Sequence, residues 1–169
     1  MNWDAIGAIG ELLGALVVVA TLVYLSRQVR ESNKHASSEV ERHIQEKWNE
    51  MLMYWSKDDK TRDICRRGHR SYLDLEEDEK VVFLCCLALG VNHLEMVLRM
   101  NRKGLVDDDI VTTYGALTIS MLRSNGGREL WKQTGKSFPV ESKKYIDSRI
   151  NESDDIGSIA ENLPMWVAD

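Results

Sequence analysis

One acidic residue lies within the most apolar stretch of the chain. Residues 5–25 read AIGAIGELLGALVVVATLVYL, and Glu11 carries the one charge among them. On an α-helix, 100° per residue brings part of this stretch onto an arc of about 100°. The residues on that arc are Gly7, Gly10, Glu11, Gly14, Val18, Thr21 and Leu25.

Two physical facts indicate what this face of the helix does. Small residues let the backbone of a second helix approach closely, and an acid inside a membrane normally faces a protein partner or a water-filled cavity. We therefore expect a helix–helix interface that contains Gly7, Gly10, Glu11, Gly14, Val18 and Thr21. In this interpretation Glu11 is protonated and bonds across the interface. The alternatives are proton or ion handling by Glu11, and a lipid-facing Glu11 near the outer headgroups.

A second group of ionisable residues follows at helical spacing. Its members are His35, Glu39, His43, Glu46 and Glu50. Histidine and carboxylate side chains four residues apart can bind a divalent metal ion. Arg42 and Lys47 are interleaved with them, however, so we expect a solvated helix face with i, i+4 ion pairs and no metal site.

Other residues that could do chemistry give weaker patterns. There is no GxSxG motif and no glycine-rich phosphate loop. The cysteines, Cys65, Cys85 and Cys86, are odd in number and lack CxxC spacing; the last two lie in an apolar run, which predicts small core residues. His93 and Glu95 fall on different sides of a helix, and His93 is expected to be a hydrogen-bonded core residue. We therefore expect no enzyme and no cofactor.

The apolar stretch has the length of a membrane span. Twenty-one helical residues extend about 31 Å, which matches the hydrocarbon thickness of a bilayer. Its eleven Ile, Leu and Val residues favour insertion by roughly 5 kcal/mol, against about 2–3 kcal/mol for Glu11. Trp3 and Tyr24 near its two ends are typical interfacial anchors. A cleaved signal peptide fits less well, since an initial positive charge and a small-residue cleavage site are both missing. A buried core helix is the other alternative, and the two anchors favour the span over it.

The distribution of basic residues predicts the orientation of the span. No Lys or Arg precedes it, whereas Arg27, Arg30, Lys34 and Arg42 follow it closely. Because positive residues stay on the cytoplasmic side, we expect the N-terminus outside and the rest of the chain in the cytoplasm, anchored in a bacterial inner membrane.

Composition argues against a nucleic-acid partner. The net charge is −5, the pI is about 5.4, and no long basic stripe is present. The one basic cluster is short and flanked by acids; it comprises Arg62, Arg66, Arg67 and Arg70. We expect it to be a solvated helix face, with phosphate or headgroup binding as the alternative.

The rest of the chain is expected to be all-α. It contains two prolines, and neither glycine nor proline occurs between Gly14 and Gly68, so the membrane helix can continue to about Trp55. Apolar residues past the span recur every eleven residues, as at Val40 and Met51. That period excludes a left-handed heptad coil and leaves packing on the chain's own helices or a bundle between copies.

Capping signals divide the remainder into shorter helices. We expect a break and N-cap at Asp58-Asp59-Lys60-Thr61, followed by a short helix to about Tyr72. A central buried helix should run from 77 to 102, with Gly104 in the C-cap position. Asp107 to Asp109 should cap a further helix, which Asn125-Gly126-Gly127 ends. Short helices at 128–133 and 140–150 follow, and the apolar residues 163–167 of the tail are expected to dock on the domain. The predicted division is an anchor at 1–26, a juxtamembrane helix continuous with it at 27–57, a cytoplasmic helical bundle at 58–151 and an acidic tail at 152–169.

The chain resembles uncharacterised bacterial single-pass membrane-anchored helical proteins of unknown function. In these proteins a glycine-bearing span with one acid runs into a stretch matched here by Tyr24, Leu25, Gln28, Val29, Arg30 and Asn33. The segments Arg102–Asp107 and Gly127–Trp131 are also similar to that group. The resemblance implies the same architecture and no particular activity.

Together these patterns predict a membrane-anchored interaction or assembly protein. Its expected partners are membrane lipid together with further copies of itself or other membrane subunits. The alternative is a small oligomeric channel or proton-conducting protein that uses Glu11; an enzyme or metal protein built on His35, Glu39 and His43 ranks third.

Overall fold

The chain is all-helical throughout the part that the computed structural model describes, residues 3–152 and 156–163. This confirms the predicted all-α class. Seven α-helices and one short 3₁₀ turn follow one another: α1 (Trp3–Lys57), α2 (Asp59–Arg70), α3 (Glu77–Arg102), α4 (Asp108–Arg123), α5 (Asn125–Thr134), the 3₁₀ turn (Gly135–Ser137), α6 (Val140–Asn151) and α7 (Ile159–Asn162). The chain divides into two compact units, residues 1–39 and 40–169, and α1 contributes to both.

The boundary between α1 and α2 follows from a capping residue. Asp58 has extended backbone angles, and its carboxylate accepts a hydrogen bond from the backbone N–H of Thr61 at 2.8 Å. This bond satisfies one of the N–H groups that a helix start leaves without a partner. The chain therefore stops one helix at Lys57 and begins the next at Asp59.

In the second unit, α1 supplies one wall of the hydrophobic core. Ile44, Met51 and Trp55 are buried, and Val40 and Trp48 pack against them half-buried. Of the two alternatives for this apolar stripe, the structure shows packing on the chain's own helices. Val29, one period earlier and in the first unit, is exposed.

The helices α3 and α4 pack closely through small residues. A Cβ added to Gly90 would lie 3.0 Å from the hydroxyl of Thr118, and one added to Gly115 would lie 3.1 Å from Leu94. Large side chains on either side of these contacts are almost fully buried, among them Phe83 and Leu94. The bounds of α3 coincide with the predicted central helix, and Gly104 after it has a φ of +69°, which favours glycine.

The predicted end of the fourth helix is confirmed to within two residues, since α4 ends at Arg123, but Asn125-Gly126-Gly127 does not terminate it. Ser124 ends α4 and at the same time caps α5, because its hydroxyl accepts from the N–H of Gly127 at 3.0 Å. A Cβ on Gly126 would lie only 1.7 Å from the carbonyl oxygen of Gly68. The glycines thus form the first turn of α5 and let it approach α2; they do not break the chain.

The prediction that α3 is surrounded on all sides is also wrong. Cys85, expected in the core, is exposed, and so are Val81 and Leu89 one turn to either side. Cys86 is buried as expected. The neighbouring helices cover the other faces of α3, where Phe83, Leu87 and Leu94 lie, and leave this one to solvent.

The beginning of the tail packs on the bundle. Ile159 in α7 is buried, and the side-chain amide of Asn162 donates to the hydroxyl of Ser120 on α4 at 3.2 Å. Leu163 is partly exposed, and the apolar residues 164–167 that were expected to dock lie outside the described residues.

Truncating the core should destabilise the second unit strongly. Leu94 is fully buried between α3 and α4, so Leu94→Ala removes apolar contacts and leaves a cavity. We expect a loss of about 2–5 kcal/mol in the free energy of unfolding, measured by denaturant titration in mild detergent with tryptophan fluorescence. The matched control is Leu73→Ala in the α2–α3 connection, where the side chain is 60% exposed and the loss should stay below about 0.5 kcal/mol. Equal losses would contradict this packing.

Candidate functional site

The first candidate site is the apolar surface of α1 in the first unit. Its large apolar side chains between Leu13 and Leu25 are 48–64% exposed, close to the exposure of an isolated helix. They are Leu13, Leu16, Val17, Val18, Val19, Leu22, Val23 and Leu25. Nothing within the described part of the chain covers them. A contiguous apolar surface of this kind marks a site where lipid or another protein binds.

The predicted small-residue face lies on this same stretch of helix. Gly7, Gly10 and Gly14 are exposed, and a Cβ on any of them would meet no atom within 4 Å. Glu11 and Val18 are likewise exposed, so room for a second helix exists on this face. The interface itself stays a prediction.

Two polar groups on the face differ in how they are satisfied. The hydroxyl of Thr21 donates to the carbonyl of Val17 at 2.8 Å, which satisfies it within its own helix. Glu11 has no hydrogen-bond partner among the described residues. Of the two proposed interfacial anchors, Tyr24 is exposed, and the side chain of Trp3 lies outside the described part.

Two described helices are long and apolar enough to cross a membrane, as judged by length and composition. One is α1 and the other is α3. They differ in burial: none of the apolar window of α1 is buried, whereas 56% of that of α3 is. Because α3 fills the core of the second unit, α1 is the better candidate for insertion.

The ladder of histidine and glutamate residues on α1 is exposed throughout. Arg42 bonds Glu46 at 2.5 Å, and Lys47 bonds Glu50 at 2.7 Å. Within residues 3–152 and 156–163, no three His, Cys, Asp or Glu side chains are grouped so that they could hold a metal ion. The expected ion pairing of a solvated face is therefore present.

The arginines of α2 are engaged by acids of the same unit. Arg66 bonds Asp63 at 3.0 Å, and Arg67 bonds both Asp63 and Glu79. The Arg67 guanidinium lowers the pKa of the Asp63 and Glu79 carboxyls. Arg62 pairs with Asp59 in the same way. Because these ion pairs engage the guanidinium charges, those charges are not available to bind an anionic ligand.

A buried histidine of α2 lies beside the serine that joins α4 to α5. The Nδ1 of His69 is 3.0 Å from the Oγ of Ser124. The Ser124 hydroxyl also donates to the carbonyl oxygen of Met121 at 2.7 Å and accepts from the N–H of Gly127 at 3.0 Å. These bonds hold α2 against the junction between α4 and α5. Burial lowers the pKa of His69 to about 3.

His93 and Glu95 are both buried and serve packing. As predicted, His93 is a hydrogen-bonded core residue, with its Nε2 3.1 Å from the carbonyl oxygen of Ile44. Burial raises the pKa of Glu95, but hydrogen bonds from Ser142 and Arg99 outweigh that effect and lower it overall. The carboxylate thus joins α3 to α6, since Ser142 lies on α6.

The second candidate site is an apolar groove of about 680 Å³ between the end of α1 and α3. Met51 and Tyr54 form one wall, and Ala88, Leu89 and Met96 the other. Lys47, Glu50, Cys85, Asn92 and His93 complete the lining. Apolar walls with few polar groups are typical of binding clefts. This groove was not predicted from the sequence, although residues 81–94 form an uncharged stretch.

No protein-family model, no curated protein and no solved structure matches the chain.

The buried histidines should make the second unit sensitive to mild acid. The unfolded chain binds a proton at His69 near pH 6.5, whereas the folded chain excludes it until about pH 3. Stability must therefore fall as pH drops from 6.5 towards 3. Between pH 7 and pH 5 we expect a loss of about 2 kcal/mol from His69 in denaturant titrations, with a contribution of the same sign from His93, whose pKa burial also lowers.

Two substitutions separate this effect from general acid sensitivity. His69→Asn keeps a donor for Ser124 but cannot titrate, so the loss between pH 7 and pH 5 should shrink by most of that amount. His43→Asn, at an exposed position on α1, should leave the pH dependence unchanged. An unaltered slope in His69→Asn would show that this histidine is not excluded from protonation.

Proposed function

We propose that this chain is a membrane-anchored helical interaction or assembly protein that associates through its N-terminal helix. It acts either as a self-associating protein or as an accessory subunit of a membrane complex. The observation that carries this proposal is the uncovered apolar surface of α1 between Leu13 and Leu25.

The energetics of that surface support a lipid environment. Full burial of one Leu or Val side chain contributes about 1.5–3 kcal/mol. Because these eight side chains are about half exposed, leaving them in water forgoes roughly 6–12 kcal/mol in total. In a bilayer this surface is buried, and α1 satisfies its backbone hydrogen bonds internally. We further propose that the N-terminus lies outside a bacterial inner membrane and the second unit in the cytoplasm, because the basic residues follow the span.

The small-residue face supports association between spans. Burying a lone carboxyl in lipid is costly, and α1 offers Glu11 no partner of its own. The three glycines on that face leave space in which a second helix can approach and satisfy the group. Protein–protein contact is thus the simplest way to accommodate Glu11.

A second candidate function rests on the same unpartnered carboxyl. Several copies that turn Glu11 towards a common axis would form a small channel or proton-conducting assembly. The described residues provide no further ionisable group along the face from Gly7 to Thr21 that could relay a proton. We therefore rank conduction second.

Substitutions on the glycine face should separate association from conduction. Gly10→Leu with Gly14→Leu fills the space for a partner helix, so we expect the associated fraction in membranes to fall about tenfold or more, measured by crosslinking in native membranes and by mass after detergent extraction. Leu at Val19 and Val23, which lie on the opposite side of the helix, is the matched control and should change little. Glu11→Gln should retain association if the group only forms hydrogen bonds.

The same variants also give the results that would contradict each proposal. A monomeric protein whose native-membrane contacts do not respond to Gly10→Leu would refute association through this face. Conductance in liposomes that Glu11→Gln abolishes would instead establish the channel function. Absence of conductance in the parent protein would rule out the channel function.

A further inference from the structure

The exposed side of α3 forms an apolar ridge beside the groove. Val81, Cys85 and Leu89 are spaced by four residues, and all three are exposed. No charged residue occurs in α3 between Lys80 and Glu95. A solvent-facing helix normally carries charge on its outer side, and α3 does not. Its uncharged ridge has the composition of a face that is buried in an assembly.

The wall across the groove has a similar character. Met51 and Tyr54 of α1 line it, and Tyr54 is half-exposed. Methionine and tyrosine are enriched at the centres of protein interfaces, where charged residues are depleted. Trp48 and His93 hold α1 and α3 together beneath the groove, with ring centroids 5.4 Å apart. Bulky rings at this contact support the groove floor without filling its opening.

We propose that a second copy of this chain occupies the groove in a twofold arrangement. Each copy inserts its ridge of Val81, Cys85 and Leu89 into the groove of the other. A twofold interface requires a surface that is complementary to itself. Here the ridge borders the groove on one face, because Cys85 and Leu89 of the ridge also line the groove. The i, i+4, i+8 spacing of the ridge is the spacing with which helices pack into one another's grooves.

The charges at the edge of the groove suit this occupant. Lys47 and Glu50 both line it and lie one turn apart on α1, where they bond each other at 2.7 Å. In a twofold dimer this edge faces the same edge of the other copy. Because the edge carries both signs of charge, opposite charges can face each other without net repulsion. Asn92, the polar residue on the facing wall, is uncharged.

This inference deepens the proposed self-association and rests on it. It places one contact between copies in the second unit, separate from the glycine face of α1. The two contacts can therefore be tested independently of each other.

The native thiol at the centre of the ridge provides the test. Cys85 is exposed, whereas Cys65 and Cys86 are buried, so a short bismaleimide applied to membranes containing the full-length chain should join copies through Cys85. Leu89→Glu places a carboxylate in the proposed interface and should reduce the crosslinked dimer about tenfold or more. Val140→Glu adds the same charge at a 79% exposed apolar position on α6 and should leave the dimer unchanged.

Position specificity and dilution complete the experiment. Moving the reactive thiol to exposed Thr113 on α4, as Cys85→Ser with Thr113→Cys, should abolish the crosslink. In the parent protein, raising the ratio of lipid to protein should speed alkylation of Cys85 by a monofunctional maleimide, because dilution separates copies. This second measurement needs no substitution and remains decisive if Leu89→Glu fails to fold.

The results that would overturn the inference are distinct from failure of the proposed function. Crosslinking of copies at Thr113→Cys as strong as at Cys85, or equal dimer in Leu89→Glu and Val140→Glu, would place the contact elsewhere. Cys85 protection that does not change on dilution, with no crosslinked dimer, would indicate a small apolar ligand or a different protein. If Gly10→Leu with Gly14→Leu reduces association while Cys85 never crosslinks, the function stands and this interface does not.

Discussion

The hydrophobic surface of α1 between Leu13 and Leu25 is the constraint from which the account of this protein follows. Eight Leu and Val side chains lie there with about half or more of their area exposed. The free energy that their burial would contribute is roughly 6–12 kcal/mol, which is comparable to the total stability of an ordinary domain. An environment that covers them is therefore part of the stable state of the chain. Lipid covers such a helix completely because it requires no shape match.

The composition of α1 changes along its length, which fits the two environments that we propose for it. Up to Leu25 it is apolar apart from Glu11, whereas from Arg27 onwards charged residues are interleaved with single apolar ones. In the second unit those apolar residues point one way, so that Ile44, Met51 and Trp55 are buried and the charged residues are solvated and paired. In the first stretch, small and polar residues share one side, with Gly7, Gly10 and Gly14 beside Glu11 and Thr21, and the other sides carry Leu and Val. Small residues on one side are typical of helix packing in lipid.

Local signals in the sequence predicted most of the helices, because caps and periodic apolar residues are local. The N-cap Asp58, the bounds of α3 and the positive φ of Gly104 were all readable in this way. The errors concern tertiary contacts. Asn125-Gly126-Gly127 reads as a helix stop, but close packing of Gly126 on Gly68 turns it into a helix start. Cys85 reads as core because its neighbours are apolar, and only the arrangement of α1 and α4 around α3 reveals that this face is open.

The two candidate sites also differ in how far the sequence predicts them. The glycine face of α1 was predictable, since it needs only the 100° period of one helix. The groove was not, because it depends on where the end of α1 lies against α3, two segments separated by about forty residues. Histidine and arginine clusters that suggested chemistry in the sequence are accounted for by ion pairs and buried hydrogen bonds in the structure. The proposed function therefore rests on the two apolar surfaces, the exposed stretch of α1 and the groove.

The most direct test of the central claim is the accessibility of single cysteines along the full-length chain in cells, in a background with Cys85→Ser. An impermeant maleimide should label Asn2→Cys in intact cells, should label Ser148→Cys only after lysis, and should fail to label Leu16→Cys under either condition. That pattern places residue 16 in the bilayer and the second unit in the cytoplasm. Ready labelling of Leu16→Cys by the water-soluble reagent would show that the apolar surface of α1 is not in lipid, and labelling of Ser148→Cys in intact cells would reverse the orientation.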